Sequence, residues 1–289
     1  MLQNAQYQRA SWGCQPNMNN YVDRLILALW PMRCVMCEQP QHAQQIPALG
    51  LCSAVSACDA DICDNCIADL PLLISYCDGC GLPITEMVQP ERNFVLASSA
   101  LDALVTRLCG ACLSKPMFDR CVVSCEYAWP INLLVQSLKY SRRRVMARVL
   151  ARVFSLHLEQ QAKQCRLVLP DVIVPVPLSP WRLVSRSYNQ AAEIAACLPE
   201  ELGKRVDAGL VRRIKATQPQ TGLSKAARAR NLSQAFMLKR DATAAIQGRN
   251  IAVLDDVITS GATMIALASL LREAGAASVQ VWAIARRLK

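Results

Sequence analysis

Four pairs of cysteines share one spacing, with two residues between the members of each pair. The pairs are Cys34 and Cys37, Cys63 and Cys66, Cys77 and Cys80, and Cys109 and Cys112. Two intervening residues let both sulfurs face one ion from a tight turn, as in tetrahedral zinc sites. Four thiolates fill the coordination sphere of such an ion. We therefore expect two structural Zn²⁺ sites with no open position for a substrate.

The order of the pairs favours one zinc ion between the first two pairs and another between the last two. Spacing alone leaves crossed pairing open, and Cys52 and Cys58 are alternative ligands of the first ion. The N-terminus has no basic-then-apolar signal, so we expect a cytoplasmic protein, in which thiols stay reduced. Metal binding is thus favoured over disulfides for the fifteen cysteines of the chain.

A second chemical motif is IAVLDDVITSGAT at residues 251–263, in which an apolar strand ends in Asp255 and Asp256. The turn that follows contains Thr259, Ser260, Gly261, Ala262 and Thr263. Backbone N–H groups of such a turn, at the start of a helix, form an anion site. The carboxylates could accept hydrogen bonds from vicinal ribose hydroxyls. An ordinary strand, turn and helix is disfavoured, because two consecutive carboxylates ending an apolar strand are costly without a partner.

Positive charge is concentrated in the C-terminal part of the chain. Residues 126–289 hold 25 lysines and arginines against 11 acidic residues, whereas residues 1–125 hold 7 against 11. Phosphates are the natural ligands of such a surface, although a solubilising basic surface is the alternative. Lys139, Arg142, Arg143 and Arg144 form the densest cluster. They could bind a phosphate backbone, or they could be a solvent-facing helix end.

Two further groups of side chains have alternative interpretations. Arg228 and Arg230 lie in a polar segment, residues 217–230, that could close over a substrate or could be a disordered basic linker. Tyr188 lies among basic residues and could stack on a base, although packing is the commoner role of such a tyrosine.

The elements that must position these residues alternate between strand and helix patterns, which predicts an α/β domain. Strands are predicted at 171–177, 249–254 and 278–285, and helices at 131–140, 146–159, 189–198 and 263–274. The second helix should carry an apolar stripe of Val149, Val153 and Leu156. With 53% apolar and 19% charged residues, a disordered protein is excluded. No apolar run approaches the ~18–20 residues that a membrane span needs.

The segment VLDDVITSGAT resembles the 5-phosphoribosyl-1-pyrophosphate (PRPP) signature of type I phosphoribosyltransferases. The resemblance implies that Asp255 and Asp256 hold the ribose hydroxyls and that the turn 259–263 holds the 5′-phosphate. It also implies a twisted parallel sheet flanked by helices, with Mg²⁺ on the pyrophosphate. In that family the loop corresponding to Arg182 and Arg186 contacts pyrophosphate. Guanidinium forks suit this role, and a solvated helix face is the alternative.

A cysteine-rich head before such a domain resembles the ComF/GntX-like family, also called the competence protein F family. The agreement in order includes the cysteine pairs, Leu138-Lys-Tyr140, Val174-Pro-Val-Pro177, Tyr188-Asn-Gln190 and the PRPP turn. The resemblance implies an N-terminal extension at 1–33, a small zinc-binding domain with four-cysteine sites at 34–125 and a phosphoribosyltransferase-like domain at 126–289.

The family resemblance implies a competence protein that acts in DNA uptake and natural transformation. We expect such a protein to bind PRPP and single-stranded DNA and to work beside a competence helicase, without a membrane span. Two alternatives stay open from the residues. One is an active phosphoribosyltransferase with an unidentified acceptor, and the other is a non-catalytic PRPP sensor. Pyrophosphate displacement would need positioning and charge stabilisation rather than a nucleophilic side chain, so the presence of only two histidines is no obstacle.

Overall fold

The structure is a computed structural model, and it describes residues 33–40, 61–84, 107–114, 116–141, 143–164, 166–214 and 235–288. The chain divides into two compact units, Met1–Asp69 and Leu70–Lys289. The described part of the first unit contains one short helix, α1 (Asp64–Ala68). Among the described residues, no helix has both the length and the apolar character needed to cross a membrane.

The core of the second unit is a four-stranded parallel sheet. Its strands are β1 (Arg120–Glu126), β2 (Val172–Pro175), β5 (Asn250–Ile258) and β6 (Ser278–Arg286), in the spatial order β1-β6-β5-β2. All nine residues of β6 are buried, as expected for a strand covered on both faces. Two short strands, β3 (Val211–Arg213) and β4 (Phe236–Leu238), form a separate antiparallel pair.

Helices surround the strands. They are α2 (Gly110–Ser114), α3 (Ile131–Tyr140), α4 (Val145–Lys163), α5 (Pro180–Arg186), α6 (Gln190–Ala196), α7 (Glu200–Gly203), α8 (Thr243–Ile246) and α9 (Ala262–Glu273). In α4, apolar side chains recur every three or four residues and pack inward, and Phe154 meets Trp282 of β6 at 5.6 Å between ring centroids. This parallel sheet flanked by helices confirms the expected fold class.

Two details differ from the sequence-based expectation. The helical stripe includes Val149 and Val153, but Leu156 is 42% exposed, so its inclusion was wrong. Residue 156 is three positions from 153 and seven from 149, and at 100° per residue it lies at the edge of the stripe; Leu150 and Leu158 are buried instead. The strand predicted at 249–254 extends to Ile258, so it includes the acidic pair.

The predicted boundaries at 33/34 and 125/126 remain a prediction. The second unit contains Cys77, Cys80, Cys109 and Cys112 together with the sheet. The N-terminal extension lies outside the described residues, except for Arg33.

Candidate functional site: an acidic pair, a helix-opening turn and two cysteine clusters

The acidic pair lies at the carboxyl end of β5, where open α/β sheets bind their ligands. Asp256 is 5% exposed, and Asp255 is partly buried with its carboxylate accepting a hydrogen bond from the N–H of Asp256 at 2.8 Å. Burial and the neighbouring charge of Asp256 raise the pKa of Asp255 to about 8. The Asp255 carboxyl is therefore mostly protonated at neutral pH, and it can lose its proton when a cation or hydroxyl donors bind beside it.

The turn after β5 leads from the acidic pair into the helix α9. Thr259 and Ser260 are exposed, and Gly261 adopts a left-handed conformation with φ of 76° at the N-cap of α9. Gly261 has no side chain to cap the helix, and the N–H of Ala262 donates only a long hydrogen bond of 3.4 Å to Ser260 Oγ, so N–H groups of the first turn can bind a ligand. A Cβ on Gly261 would approach Met117 Sδ at 3.0 Å and Phe118 Cζ at 3.2 Å, so this position requires glycine for both conformation and space. Ala262 and Thr263 begin α9 and are partly exposed.

Cations surround the acidic pair. Lys139 Nζ lies 2.8 Å from Asp256 Oδ2, although the sequence had grouped Lys139 with the surface cluster. Burial and the charge of Arg182 lower the pKa of Arg213 in β3, and the charge of Asp255 raises it. Arg213 therefore lies near both of these residues. Arg213 was missed in the sequence because β3 is short and sits before a long polar segment.

Arg182 and Arg186 line a cavity of about 300 Å³ together with Lys139, Tyr140, Trp181 and Ser185. The helix that carries the arginines, α5, has no buried residue. Trp181 is 75% exposed and Tyr140 is 72% exposed, and the guanidinium of Arg186 lies 5.2 Å from the centroid of the Tyr140 ring. The two arginines therefore adjoin aromatic rings that the sequence had not singled out, although Trp181 directly precedes Arg182.

The segment that carries α5 is tied to the acidic pair through the sheet. The N–H of Val176 donates to the carbonyl oxygen of Leu254 at 2.8 Å, and the Asn189 amide donates to the oxygen of Val176 at 2.9 Å. The carboxyl ends of β2 and β5 therefore lie side by side, which brings the basic helix and the two aspartates to one edge.

The remaining basic candidates are placed differently. Arg144 forms an ion pair with Glu193 at 3.3 Å and lies over the ring of Tyr188, and Arg143 is exposed. Tyr188 is 3% exposed and donates to the oxygen of Leu138, so it packs and has no free face for stacking. Arg142, Arg228 and Arg230 lie outside the described residues, as do the alternative ligands Cys52 and Cys58.

The first cysteine cluster gathers Cys34, Cys37, Cys63 and Cys66, whose sulfur atoms lie within 4.8 Å of one another. Cys37 Sγ and Cys63 Sγ are 3.7 Å apart. Sulfurs that bind one tetrahedral Zn²⁺ at ~2.3 Å are about 3.8 Å apart, so the group fits zinc. Burial raises the pKa of Cys34, but N–H donors from Cys37, Cys63 and Met36 lower it to about 7.

The second cysteine cluster gathers Cys77, Cys80, Cys109 and Cys112 within the same limit. Cys80 Sγ and Cys109 Sγ are 3.8 Å apart, which again matches a tetrahedral zinc site. The Cys80 thiol and N–H donors from Cys109 and Gly79 outweigh burial and lower the pKa of Cys77 to about 4. The thiols thus group as the sequence order predicted, and each group could hold a zinc ion.

The second cluster is anchored to the sheet by a buried ionic network. Asp78, between two cluster cysteines, is 1% exposed, and its carboxylate accepts from Arg166 Nη2 at 2.7 Å and from the N–H of Arg107 at 2.7 Å. Arg120 of β1 lies 3.9 Å from the same carboxylate. The carbonyl of Asp78 accepts from the N–H of Cys121 at 2.6 Å, so backbone and side chain both fix this turn on β1.

Comparison with known proteins places the chain among named relatives. Residues 184–289 match the phosphoribosyl transferase domain family. The chain is 33% identical over 259 residues to DNA utilization protein YhgH of Escherichia coli O157:H7, covering 89% of this chain and 98% of the relative. The protein of the same name from Salmonella typhimurium is 36% identical over 228 residues, covering 78% and 91%. Competence protein F of Haemophilus influenzae is 32% identical over 259 residues, covering 88% and 96%.

Solved structures that match part of the chain include an allosteric regulatory enzyme of purine biosynthesis, at 20% identity and a TM-score of 0.28, covering 48% of this chain and 26% of that one. Another is a hypoxanthine phosphoribosyl transferase of Trypanosoma cruzi, at 13% identity and a TM-score of 0.31, covering 47% and 63%.

Proposed function

The chain belongs to the family of DNA utilization protein YhgH and Competence protein F, and from this premise we propose that it binds PRPP and single-stranded DNA in DNA uptake. The observation that carries the PRPP proposal is the acidic pair near the end of β5, followed by a helix that begins at a glycine N-cap. A ribose with a terminal phosphate matches this arrangement, because hydroxyl donors meet carboxylates and the phosphate meets N–H groups.

Each part of PRPP has a chemically matched group in this site. Asp255 and Asp256 accept hydrogen bonds from the two ribose hydroxyls, and the turn 259–263 binds the 5′-phosphate. The diphosphate lies toward the cationic side, where Arg182 and Arg186 line the cavity. Lys139 is already paired with Asp256 and fixes that carboxylate beside the sugar.

Mg²⁺ fits this proposal because carboxylate oxygens are the ligands it prefers, and the partly exposed Asp255 offers one beside the proposed diphosphate site. When bound, the ion neutralises charge that develops on pyrophosphate as the bond to the anomeric carbon weakens. The protein groups hold the ribose and exclude competing positions of the diphosphate. Release of pyrophosphate in the presence of a panel of bases would separate a transferase from a protein that only binds PRPP.

The direct test of the PRPP site is calorimetry with PRPP and Mg²⁺. We expect Asp255→Asn and Asp256→Asn to lower affinity by at least about tenfold, since each removes a hydrogen-bond acceptor that carries a negative charge in the complex. Asp171→Asn is the matched control. Asp171 precedes β2, at the amino end of the sheet, and an asparagine oxygen can still accept from the N–H of Asn250. Unchanged affinity in both aspartate variants would remove the site assignment.

The proposal for single-stranded DNA rests on the exposed helix α5. Trp181 and Tyr140 present large aromatic surface to solvent beside Arg182 and Arg186, and α5 has no buried residue. Aromatic faces with flanking cations bind single strands by stacking bases and neutralising phosphates. Arg143 is exposed between α3 and α4, three residues after Tyr140, and is a further candidate to contact phosphates.

Trp181→Ala tests this surface, with Trp129→Ala as its control because Trp129 is 68% exposed before the start of α3. Loss of one stacked base should weaken binding of a labelled oligothymidylate by about 5-fold to 150-fold at constant salt. Binding should also fall steeply with rising salt. Equal effects of the two variants, or a flat salt dependence, would exclude α5 as the DNA surface.

Two further parts of the proposal concern the surroundings of the protein. Both cysteine clusters would hold structural zinc, which requires a reducing compartment, and we place the protein in the cytoplasm for that reason. The family implies a helicase that supplies single strands as the class of partner. We propose no binding surface for it among the described residues.

A further inference from the structure

A single buried arginine connects the second cysteine cluster to the proposed phosphate turn. Arg286, the last residue of β6, is 4% exposed. Its Nε donates to the carbonyl oxygen of Cys80 at 3.1 Å. Its Nη1 donates to the oxygen of Ile258 at 3.0 Å and also to the oxygen of Thr259. One rigid guanidinium thus binds a ligand-bearing residue of the cluster and both peptides that open the turn.

These contacts determine which way the turn presents its N–H groups. In a planar trans peptide the C=O and the following N–H point in opposite directions. Because Arg286 holds the oxygens of Ile258 and Thr259, the N–H groups of Thr259 and Ser260 face away from it. The oxygen of Ile258 also accepts from the N–H of Arg287 at 2.9 Å, so the backbone holds that peptide as well. Without the guanidinium, the peptide between Thr259 and Ser260 could rotate, and it would then present its carbonyl oxygen to an anion.

A second set of contacts joins the second cysteine cluster to the turn 259–263. The N–H of Phe118 donates to the oxygen of Gly79, which lies between the first two cysteines of the second cluster, at 3.1 Å. The ring of Phe118 lies beneath Gly261, where an added Cβ would meet it at 3.2 Å. The turn therefore rests on two supports, and both begin at residues 79–80.

The position of Cys80 itself is set by close packing. Gly81 has φ of 73°, and a Cβ there would meet Cys121 Sγ at 2.9 Å and Val123 Cγ2 at 3.0 Å. The carbonyl of Cys80 can thus reach Arg286 only while the cysteine turn stays folded against β1. Four thiols around one ion would keep it folded, and loss of a ligand would release it.

We propose that Arg286 is a positioning residue that makes phosphate binding at the turn 259–263 depend on an intact second cysteine cluster. The inference rests on the proposed function, because the phosphate is that of PRPP. It goes beyond it by giving the second cluster a role in the site.

The test is a double-mutant cycle on the full chain, read by calorimetry with PRPP and Mg²⁺. Cys109→Ser and Arg286→Met should each lower affinity by about tenfold, within the usual range of coupling between sites. The double variant should bind no more than about twofold more weakly than Arg286→Met, because both changes break one connection. Losses that multiply, or an unchanged affinity in Cys109→Ser, would overturn the inference.

Matched controls separate this effect from general destabilisation. Cys63→Ser removes a ligand from the first cluster, and Arg287→Met removes the exposed arginine next in sequence. Both should bind PRPP like the wild type, while metal analysis should show one zinc per chain fewer in either cysteine variant. If Arg286→Met does not fold, Arg286→Lys takes its place in the cycle. Lysine keeps the buried charge, so this variant should keep part of the wild-type affinity for PRPP.

The amide resonance of Ser260 in the ligand-free protein tests the connection without PRPP. Its chemical shift should differ from the wild type in Cys109→Ser and Arg286→Met and stay unchanged in the two controls. An unchanged shift in Cys109→Ser would contradict the proposed connection. Failure of the wild type to bind PRPP, with these shift differences present, would refute the proposed function and leave the connection supported.

Discussion

The raised pKa of Asp255 gives a prediction about the pH dependence of PRPP binding. Ribose hydroxyls and Mg²⁺ interact best with an ionised carboxylate, but burial and Asp256 hold this carboxyl protonated up to about pH 8. Binding should therefore release a proton at neutral pH, and affinity should rise with pH. The phosphates of the ligand do not obscure this, because their second ionisation is complete above about pH 7.

The size of the effect follows from the same pKa. With a value of about 8, roughly one molecule in eleven has an ionised Asp255 at pH 7, against about nine in ten at pH 9. Affinity should thus increase about tenfold between these pH values. Stability should change in the opposite direction. Because folding raises this pKa above 3.8, the stability that the proton contributes is present at low pH and is lost as pH rises through about 8.

The assay is calorimetry at pH 7, 8 and 9 with saturating Mg²⁺, repeated in two buffers of different ionisation enthalpy. The buffer dependence should report close to one proton released at pH 7. Asp255→Asn should bind weakly with no change across this range. A flat or falling affinity in the wild type would refute the assignment of Asp255 to the ribose.

Three further predictions concern stability and metal. Gly261→Ala should lower both the free energy of unfolding and the affinity for PRPP. Gly248→Ala is the control, because Gly248 has φ of 68° but open space around it, so this variant shows the backbone strain of about 1–2 kcal/mol alone. Equal losses of stability in the two variants would mean that the crowding at Gly261 is unimportant. Asp78→Ala should lower the free energy of unfolding by about 3–5 kcal/mol in denaturant titration, because it leaves Arg166 and Arg120 buried without their acid; a loss below about 1 kcal/mol would contradict this. A strong chelator should change far-ultraviolet circular dichroism in a protein with intact clusters, and an unchanged spectrum would show that neither cluster needs metal to fold.

The sequence was most informative where local chemistry and local structure coincide. The turn 259–263 could be predicted because an apolar strand, two carboxylates, small residues and a helix follow one another without a gap. Each cysteine pair was also predictable as a turn, because its two members are near neighbours in the chain. Which pairs join across 26 and 29 residues was favoured by their order but left open by their spacing.

Contacts between distant segments could not be predicted in this way. Lys139 belongs to a basic run in the sequence, but α3 directs it to Asp256, which is 117 positions later. Tyr188 lies among basic residues, and only the packing of α3 shows that it is buried. Nothing in the sequence distinguishes Arg286 from the other basic residues near the C-terminus. Its three carbonyl partners come from two separate segments, so these contacts could not be predicted.

The boundary of β5 shows how tertiary structure overrides a local pattern. Two adjacent aspartates predict the end of a strand, because carboxylates are costly to bury. The strand nevertheless continues to Ile258, since β6 pairs with it along this length and Lys139 offsets the charge of Asp256. The acidic pair is consequently held more rigidly than a loop would hold it.

The most direct test of the central claim is a crystal structure of the protein with PRPP and Mg²⁺. The 5′-phosphate should lie about 3 Å from backbone nitrogen atoms of the turn 259–263, with the ribose hydroxyls on Asp255 and Asp256. Density for the ligand at another place on the protein, with this turn unchanged and vacant, would contradict the account.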